Sequence, residues 1–366
     1  MIQIDGSYLE GGGQIIRTAL AFSALTNKPF KIGNIRTRRP NPGLKSQHLY
    51  CVKSMQELCD AQVEGAELGS MHLKFFPRKL CAKSIDIDIG TAGSITLLLQ
   101  SLLPACMFAS RPIKLKIRGG TDVSWSPSFD YFNNVLLPQL QRFAKIEAKL
   151  LMRGYYPKGG GNVEIKINPM FKLKDFENFE QFHSHLSQNI KPYSLTEQHN
   201  LMQIKAVSHA ASNLEDARVA QRQAHAAQVM LAKIFRVPIK ITSEYQHTQS
   251  IGSGITSWAI FSKNKEDIDE TNPIRLGSDA LGEQGKKAEI VGGECAMSLS
   301  KEIESKAPVD IYLSDQILSF MALCPDSKIK VSDITNHCKT NISTISLFMG
   351  DIFNIDEENR IIKTEQ

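Results

Sequence analysis

The segment Arg153-Gly-Tyr-Tyr-Pro-Lys-Gly-Gly-Gly161 runs without a break into the alternating stretch 162–167 (NVEIKI). Three glycines in a row are costly in backbone entropy. They persist where a positive φ or a close backbone approach requires them, so this run marks a sharp turn opening a strand. Alone, it reads equally well as a simple bulge. A second triplet, Glu10-Gly-Gly-Gly-Gln14 with Arg17 one turn later, changes the balance. Two glycine triplets flanked by basic residues suggest a phosphate-handling surface, because backbone amides freed by glycine at a helix start bind anions.

At 366 residues the chain exceeds the size at which one core usually stops growing, so two domains are expected. Its 42% hydrophobic and 22% charged residues are those of an ordinary globular protein. A net charge of +5 fits an anionic partner without requiring one. Seven cysteines without paired spacing argue against a disulfide framework and for a reducing compartment, and no Cys/His spacing points to zinc. Cys59, Cys106 and Cys324 fall in apolar helical patterns and read as core. The N-terminal segment lacks a signal-peptide pattern. The apolar run 95–109 is broken by Gln100, Ser101 and Pro104 and is too short to span a bilayer. The expected location is the cytoplasm, or the nucleus in a eukaryote.

A short strand, a Gly-rich turn and an apolar helix recur in three places: 2–5 with 11–25, 85–89 with 93–109, and 288–291 with 294–305. Second helices are expected at 43–58, 129–143 and 313–322, and closing strands within 63–76, 148–167 and 329–348. A βαβαββ unit is common, but the shared Gly-to-helix start favours repetition. The stretch 171–197 reads as a polar linker. Strand 201–207, helix 214–235 and strands 239–245 and 254–261 follow, with an acidic loop at 264–272. This is a small α/β module inserted in the series.

Four constellations carry candidate chemistry. Glu10 beside the first triplet suits a divalent cation between carboxylate and phosphate, with Arg17 on the phosphate; a helix-cap carboxylate is the plain alternative. In Arg36-Thr-Arg-Arg39-Pro-Asn-Pro-Gly43-Leu-Lys45-Ser-Gln47-His48, arginines suited to bidentate phosphate contacts precede a helix start. His48 reads as a phosphate contact or a helix-surface residue. In Asn336-His337-Cys-Lys-Thr-Asn341, expected in the last strand pair, spacing alone does not mark His337 as a nucleophile. Tyr312 with Asp315 and Gln316 at a helix start suits base stacking and ribose hydrogen bonds, or Asp315 is a plain first-turn acid. No Walker A sequence and no Lys-x-Asp-Gly motif occurs.

Taken in order, Glu10-Gly-Gly-Gly-Gln14-x-x-Arg17, Pro42-Gly43-Leu44, Gln47-His48, Gly90-Thr-Ala-Gly93-Ser94, Gly119-Gly-Thr-Asp122, Arg153–Gly161, Asp315-Gln316 and His337-x-x-x-Asn341 resemble the motifs of the RNA 3'-terminal phosphate cyclases. The resemblance covers nearly the whole chain and is weakest over the inserted module. It implies an α/β (α+β) fold of three βαβαββ repeats, each similar to the C-terminal domain of bacterial initiation factor three, with a thioredoxin-like module before the third repeat. The implied division is 1–184 for repeats one and two, 185–277 for the module, and 278–366 for repeat three. The implied reaction uses ATP: a histidine takes up AMP, passes it to an RNA 3'-phosphate, and the neighbouring 2'-OH closes a 2',3'-cyclic phosphate. By position His337 is the nucleophile and Glu10 the ligand of Mg²⁺ or Mn²⁺. Arg17, Arg36, Arg39, Gln47 and His48 match phosphate and substrate contacts. Tyr312 and Pro127 match the positions that sandwich adenine, Tyr131 an aromatic near the base, and Gln100, Asp315 and Gln316 nucleotide contacts. The implied partners are RNA with a 3'-phosphate end and ATP, no membrane is involved, and homodimer formation stays open.

The main rival is a non-catalytic cyclase-like RNA-binding protein of ribosome biogenesis. Such relatives lack the histidine and much of the arginine set, and His337, Glu10 and Arg17 are all present here. An enolpyruvyl transferase-like reading would need six repeats and no insert. A purely structural RNA-binding module leaves Glu10 and Asp315-Gln316 unexplained.

Overall fold

Three of the four sheets share one order of connections. The computed structural model describes residues 1–264 and 269–365; part of the expected acidic loop 264–272 lies outside them. The first unit runs β1 (Ile2–Asp5), α1 (Gln14–Thr26), β2 (Phe30–Gly33), α2 (Ser46–Cys59), β3 (Gln62–Glu64) and β4 (Leu73–Phe76). Its sheet order is β1-β2-β4-β3, with β1 and β2 parallel and the other pairs antiparallel. The second unit starts with β5 (Ile85–Asp88), α3 (Ile95–Cys106) and β6 (Ile113–Gly119). Then α4 (Phe129–Tyr131) continues through the π-helical turn Phe132–Leu136 into α5 (Leu137–Leu140), before β7 (Ala144–Met152) and β8 (Gly161–Pro169). The order β5-β6-β8-β7 matches the first sheet.

After α6 (Phe179–Asn189) and the two-residue β9 (Ser194–Leu195) comes the third sheet. It is built from β10 (Asn200–Ala211), α7 (Val219–Ile234), β11 (Ile239–Gln246), β12 (Ser253–Ser262), β13 (Ile274–Leu281) and α8 (Ala288–Glu304), in the order β11-β10-β12-β13. The chain closes with α9 (Ile311–Met321), β14 (Lys328–Lys330), α10 (Asn336–Met349), β15 (Phe353–Asp356) and β16 (Ile361–Thr364). In the last sheet β14 pairs in parallel with β9, giving β15-β16-β14-β9. The third sheet therefore enters between the first strand and the first helix of the closing unit. This differs from the sequence reading in particular elements. Residues 288–291, expected as a strand, begin α8; the segment 313–322 lies on the first helix of the closing unit; and 329–348 holds β14 and α10 rather than a strand pair.

Alternation dictates most of the second sheet. In β5 and β6 the isoleucines and Leu115 point inward while Asp86, Asp88, Lys116 and Arg118 face solvent. β12 is buried along its whole length, covered by α7 and α8 and by α4. A continuous apolar core links all four sheets. Phe30 stacks on Phe75 at 5.7 Å and meets Phe348 of α10 edge-on at 6.2 Å. No helix among the described residues is long and apolar enough to cross a membrane.

One buried acid orders the entry to α9. Asp310 caps the helix by accepting from the Tyr312 and Leu313 amides (2.9 and 2.8 Å), and also accepts from Gly277 N–H (2.7 Å) and the Tyr131 hydroxyl (2.6 Å). Asp310→Ala strands four buried donors, and chemical denaturation should show a loss of about 3 kcal/mol or more. Asp310→Asn, which keeps an acceptor oxygen, should lose less.

Candidate active site

The starts of α1 and α10 and the middle of α9 meet around His337. Thr335 caps α10 by accepting from the Cys338 amide at 3.2 Å, so His337 stands in the first helical turn rather than in a strand pair. A buried hydrogen-bond chain ties α10 to its neighbours: Thr18 of α1 donates to Asn341 Oδ1 (2.7 Å), and Asn341 Nδ2 donates to the Asp315 carbonyl of α9 (2.7 Å). Gln14, at the start of α1, donates through Nε2 to Asp315 Oδ2 (3.0 Å) and to the His337 carbonyl (3.1 Å). Its amide oxygen is then left to accept, and it lies 2.6 Å from His337 Nδ1. The proton is thereby assigned to Nδ1 and the lone pair of the neutral ring to Nε2. Nε2 lies 3.1 Å from Glu10 Oε2, which Arg39 Nη2 also meets at 3.3 Å. Burial, with Arg17 and Arg39 nearby, lowers the His337 pKa against the opposing pull of Glu10. A neutral ring at neutral pH is what a nucleophilic nitrogen needs. Asp315 is partly buried, and loss of hydration raises its pKa to about 7 despite Arg17.

The first glycine triplet answers to side chains that press on it. Gly11 has φ +54°. A Cβ on Gly13 would stand 2.0 Å from His48 Nε2, inside a ring that is itself buried. Gly13, not Glu10, occupies the N-cap position of α1, so Glu10 is free of the capping role. His48 Nδ1 accepts the Lys45 amide (3.2 Å), which puts its proton on Nε2 facing the triplet. Burial first, then Arg17, Arg36 and Lys45, drives the His48 pKa down to about 3.

An unfolded histidine takes up its proton near pH 6.5, so between there and about pH 3 the unfolded chain binds more protons than the folded one. Stability should fall on acidification through that window, by up to about 1.4 kcal/mol per pH unit from this group alone. Urea unfolding of wild type and His48→Asn at several pH values checks this: the slope difference between the two should disappear below the folded pKa.

Arg17 lies buried on α1, and its Nε has no hydrogen-bond partner among the described residues. With Gln14, Gln100, Asp315, Gln316 and Asn341 it lines a crevice between α1, α3, α9 and α10. An orphaned buried guanidinium nitrogen fits an anion arriving from outside the protein. Tyr131 is fully buried; its hydroxyl goes to Asp310, and its ring meets the half-exposed Tyr312 edge-on at 6.1 Å. Pro127 stands just before Ser128, the N-cap of α4, and its carbonyl accepts from Thr96 Oγ1 (2.7 Å). Gln47 accepts the Ser94 amide (3.0 Å) and so tethers α2 to the start of α3. Arg36 donates to the carbonyls of Asn41 and Gly43 (2.7 and 3.1 Å) and closes its own loop. Asp315 is the fifth residue of α9, not a first-turn acid.

The second triplet lies elsewhere. Arg153 is buried and reaches Asp122 (3.1 Å) and Asp130 (2.7 Å) of its own unit and Glu244 of β11 (2.7 Å). Tyr155 hydrogen-bonds His209 of β10 (2.8 Å), and His209 Nε2 meets Asp122 (3.2 Å). A Cβ on Gly160 would strike Gln249 at 2.4 Å. This motif fastens the third sheet to the second. Asp122, Asp130 and His209 have ligand atoms within 4.8 Å of one another, but the Arg153 guanidinium already bridges both carboxylates.

Gln14, Thr18 and Asn341 stand in or beside the quoted motifs, yet sequence reasoning gave them no role. Their partners lie on helices more than 300 positions away, a pairing that no local pattern carries. Asp310 had a readable signal: an acid directly before an apolar helical run.

The family model for RNA 3'-terminal phosphate cyclase matches residues 8–355. Proteins named RNA 3'-terminal phosphate cyclase align over nearly their full lengths. The one from Pyrococcus furiosus is 47% identical over 97% of this chain and 95% of its own, and that from Pyrococcus abyssi 44% over 98% and 96%. The one from Methanosarcina acetivorans is 42% identical over 99% of each. The match spans the glycine triplets, the Arg153 hub and the residues around His337 alike, and the chain belongs to the RNA 3'-terminal phosphate cyclase family.

Proposed function

We propose that this chain uses ATP to convert an RNA 3'-terminal phosphate into a 2',3'-cyclic phosphate, through a covalent His337–AMP intermediate. The observation that carries the reading is the His337 ring: Gln14, which lines the crevice holding Arg17 and Asp315, accepts from Nδ1 and leaves the Nε2 lone pair on the side of Glu10. Nε2 attacks the α-phosphorus of ATP and pyrophosphate leaves. The RNA 3'-phosphate then takes AMP from the histidine, and the 2'-OH attacks the activated phosphorus and expels AMP. The ribose already holds that hydroxyl beside the phosphorus, so the last step needs positioning rather than a strong base.

Pro127 and Tyr312 would flank adenine, with the buried Tyr131 backing Tyr312. Gln100, Asp315 and Gln316 would contact the nucleotide. Arg17, Arg39, Gln47 and the Nε2–H of His48 would serve the phosphates, while Arg36 shapes the loop that carries Arg39. Glu10, a single carboxylate beside the Arg39 guanidinium and the neutral His337 ring, fits a Mg²⁺ or Mn²⁺ held mainly by the triphosphate, where the ion would offset phosphate charge. The three-repeat core would carry all these residues and leave the inserted third sheet with its helices α7 and α8, between β9 and α9, outside the chemistry.

The test is incubation of the purified chain with ATP, Mg²⁺ and a 3'-phosphate RNA. The expected end becomes resistant to phosphatase while AMP and pyrophosphate appear. RNA that binds but keeps a phosphatase-sensitive end, with no AMP formed, would replace this reading with the non-catalytic one.

A further inference from the structure

Trp125 is 98% exposed and sits at φ +66°, a backbone region that a bulky side chain rarely adopts. Nothing in the fold requires an indole there. The loop around it is nonetheless pinned: Ser126 Oγ donates to the Val123 carbonyl (3.1 Å), and Pro127 is held by Thr96 (2.7 Å). Such an outlier on a fixed loop points to a role outside folding.

A second exposed aromatic converges on the same turn. Tyr156 is 76% exposed and is followed two residues later by the exposed Lys158. The glycine at 159 packs so closely on the 91–92 backbone that a Cβ there would lie 2.6 Å from the Thr91 carbonyl oxygen. Gly120, at the root of the Trp125 loop, touches the same turn, with its would-be Cβ 2.5 Å from the Ala92 oxygen. The turn continues through Gly93 and Ser94 to Gln47, and α2 carries the neighbouring His48 against Gly13. Two exposed rings and a lysine thus stand on loops that pack on one turn, and that turn is tied through Gln47 and His48 to the first glycine triplet.

We propose that Trp125 is the stacking platform for an unpaired base near the RNA 3' end, with Tyr156 and Lys158 guiding the strand behind it. This rests on the cyclase reading for the identity of the strand. Aromatic faces take any base, and a flanking ammonium follows the phosphates, which is how single-stranded nucleic acid is held without sequence preference. The arrangement selects ends whose terminal bases are free of a duplex.

The full chain offers its own probe, because its only other tryptophan, Trp258, is buried. Titration with a short single-stranded 3'-phosphate RNA should quench Trp125 emission. Anisotropy of a 5'-labelled copy of that RNA should show Trp125→Ala binding about tenfold more weakly, with Trp125→Phe recovering most of the loss. A blunt duplex with the same 3'-phosphate should bind wild type more weakly and lose little on Trp125→Ala. The exposed position makes these variants safe for folding. Trp125→Ala binding within about twofold of wild type, or quenching by ATP but not by RNA, overturns the proposal. Binding is read without turnover, so absence of AMP transfer in wild type would defeat the cyclase reading alone.

Discussion

Replacing His337 with alanine should abolish transfer of label from α-phosphate-labelled ATP to the protein and lower cyclisation by at least about 10⁴-fold, as loss of a covalent nucleophile does elsewhere. In the wild type the label should be acid-labile and alkali-stable, as a phosphoramidate is. The variant should fold normally, since the His337 side chain is about half exposed (48%) and α10 keeps its Thr335 cap, Thr18–Asn341 bond and apolar face. Gln14→Leu tests the orientation argument separately. It removes the acceptor that fixes the Nδ1 proton, so the ring can rotate or change tautomer while the nucleophile remains. Labelling should continue about 10²-fold more slowly, the scale expected for a misplaced reacting group. If Gln14→Leu labels as fast as wild type, the tautomer is set by something other than the Gln14 contact.

The readable and unreadable parts of this chain divide along physical lines. Strands with one face on the core announce themselves by alternation, as Ile85, Ile87, Leu115 and Ile117 do. β12 does not, because both its faces are covered and nothing alternates. β9 is two residues long, and its partner strand begins at Lys328, so neither period nor neighbourhood could reveal it. That is why the closing unit was expected to start at 288 when its first strand lies at Ser194. At the site, Glu10 and Arg17 were visible because they share a short motif with the glycines. The roles of the two triplets were not. The sequence reads both as phosphate-handling, yet Gly13 makes room for a histidine and Gly160 for Gln249 of the β11–β12 loop. A glycine tells the reader that something comes close, and only the fold tells what.

Arg153→Ala should be among the most destabilising single changes in this protein, at about 3–5 kcal/mol in urea or thermal unfolding, because it leaves buried carboxylates without their cation. Asp122 is completely enclosed and Asp130 nearly so. Burial alone would raise the Asp122 pKa, but His209 and Arg153 hold it well below the usual carboxylate range, so the group is charged and depends on those partners. Glu244 is partly exposed and can turn to water, and it should contribute less. Arg153→Lys tests geometry against charge. A lysine supplies one ammonium where a planar fork now meets three carboxylates, so it should recover only part of the loss. Adding Asp122→Asn to Arg153→Ala should restore some stability, since removing both charges is milder than orphaning one. Glu244, Gln246 and His209 all belong to the third sheet, so the weakness should appear first where that sheet meets the second. Limited proteolysis should then cut near the chain crossings at 196–199 and 305–309 before the two-helix faces of the other units open. Equal resistance at those crossings in wild type and Arg153→Ala would mean that apolar contacts alone hold the third sheet in place.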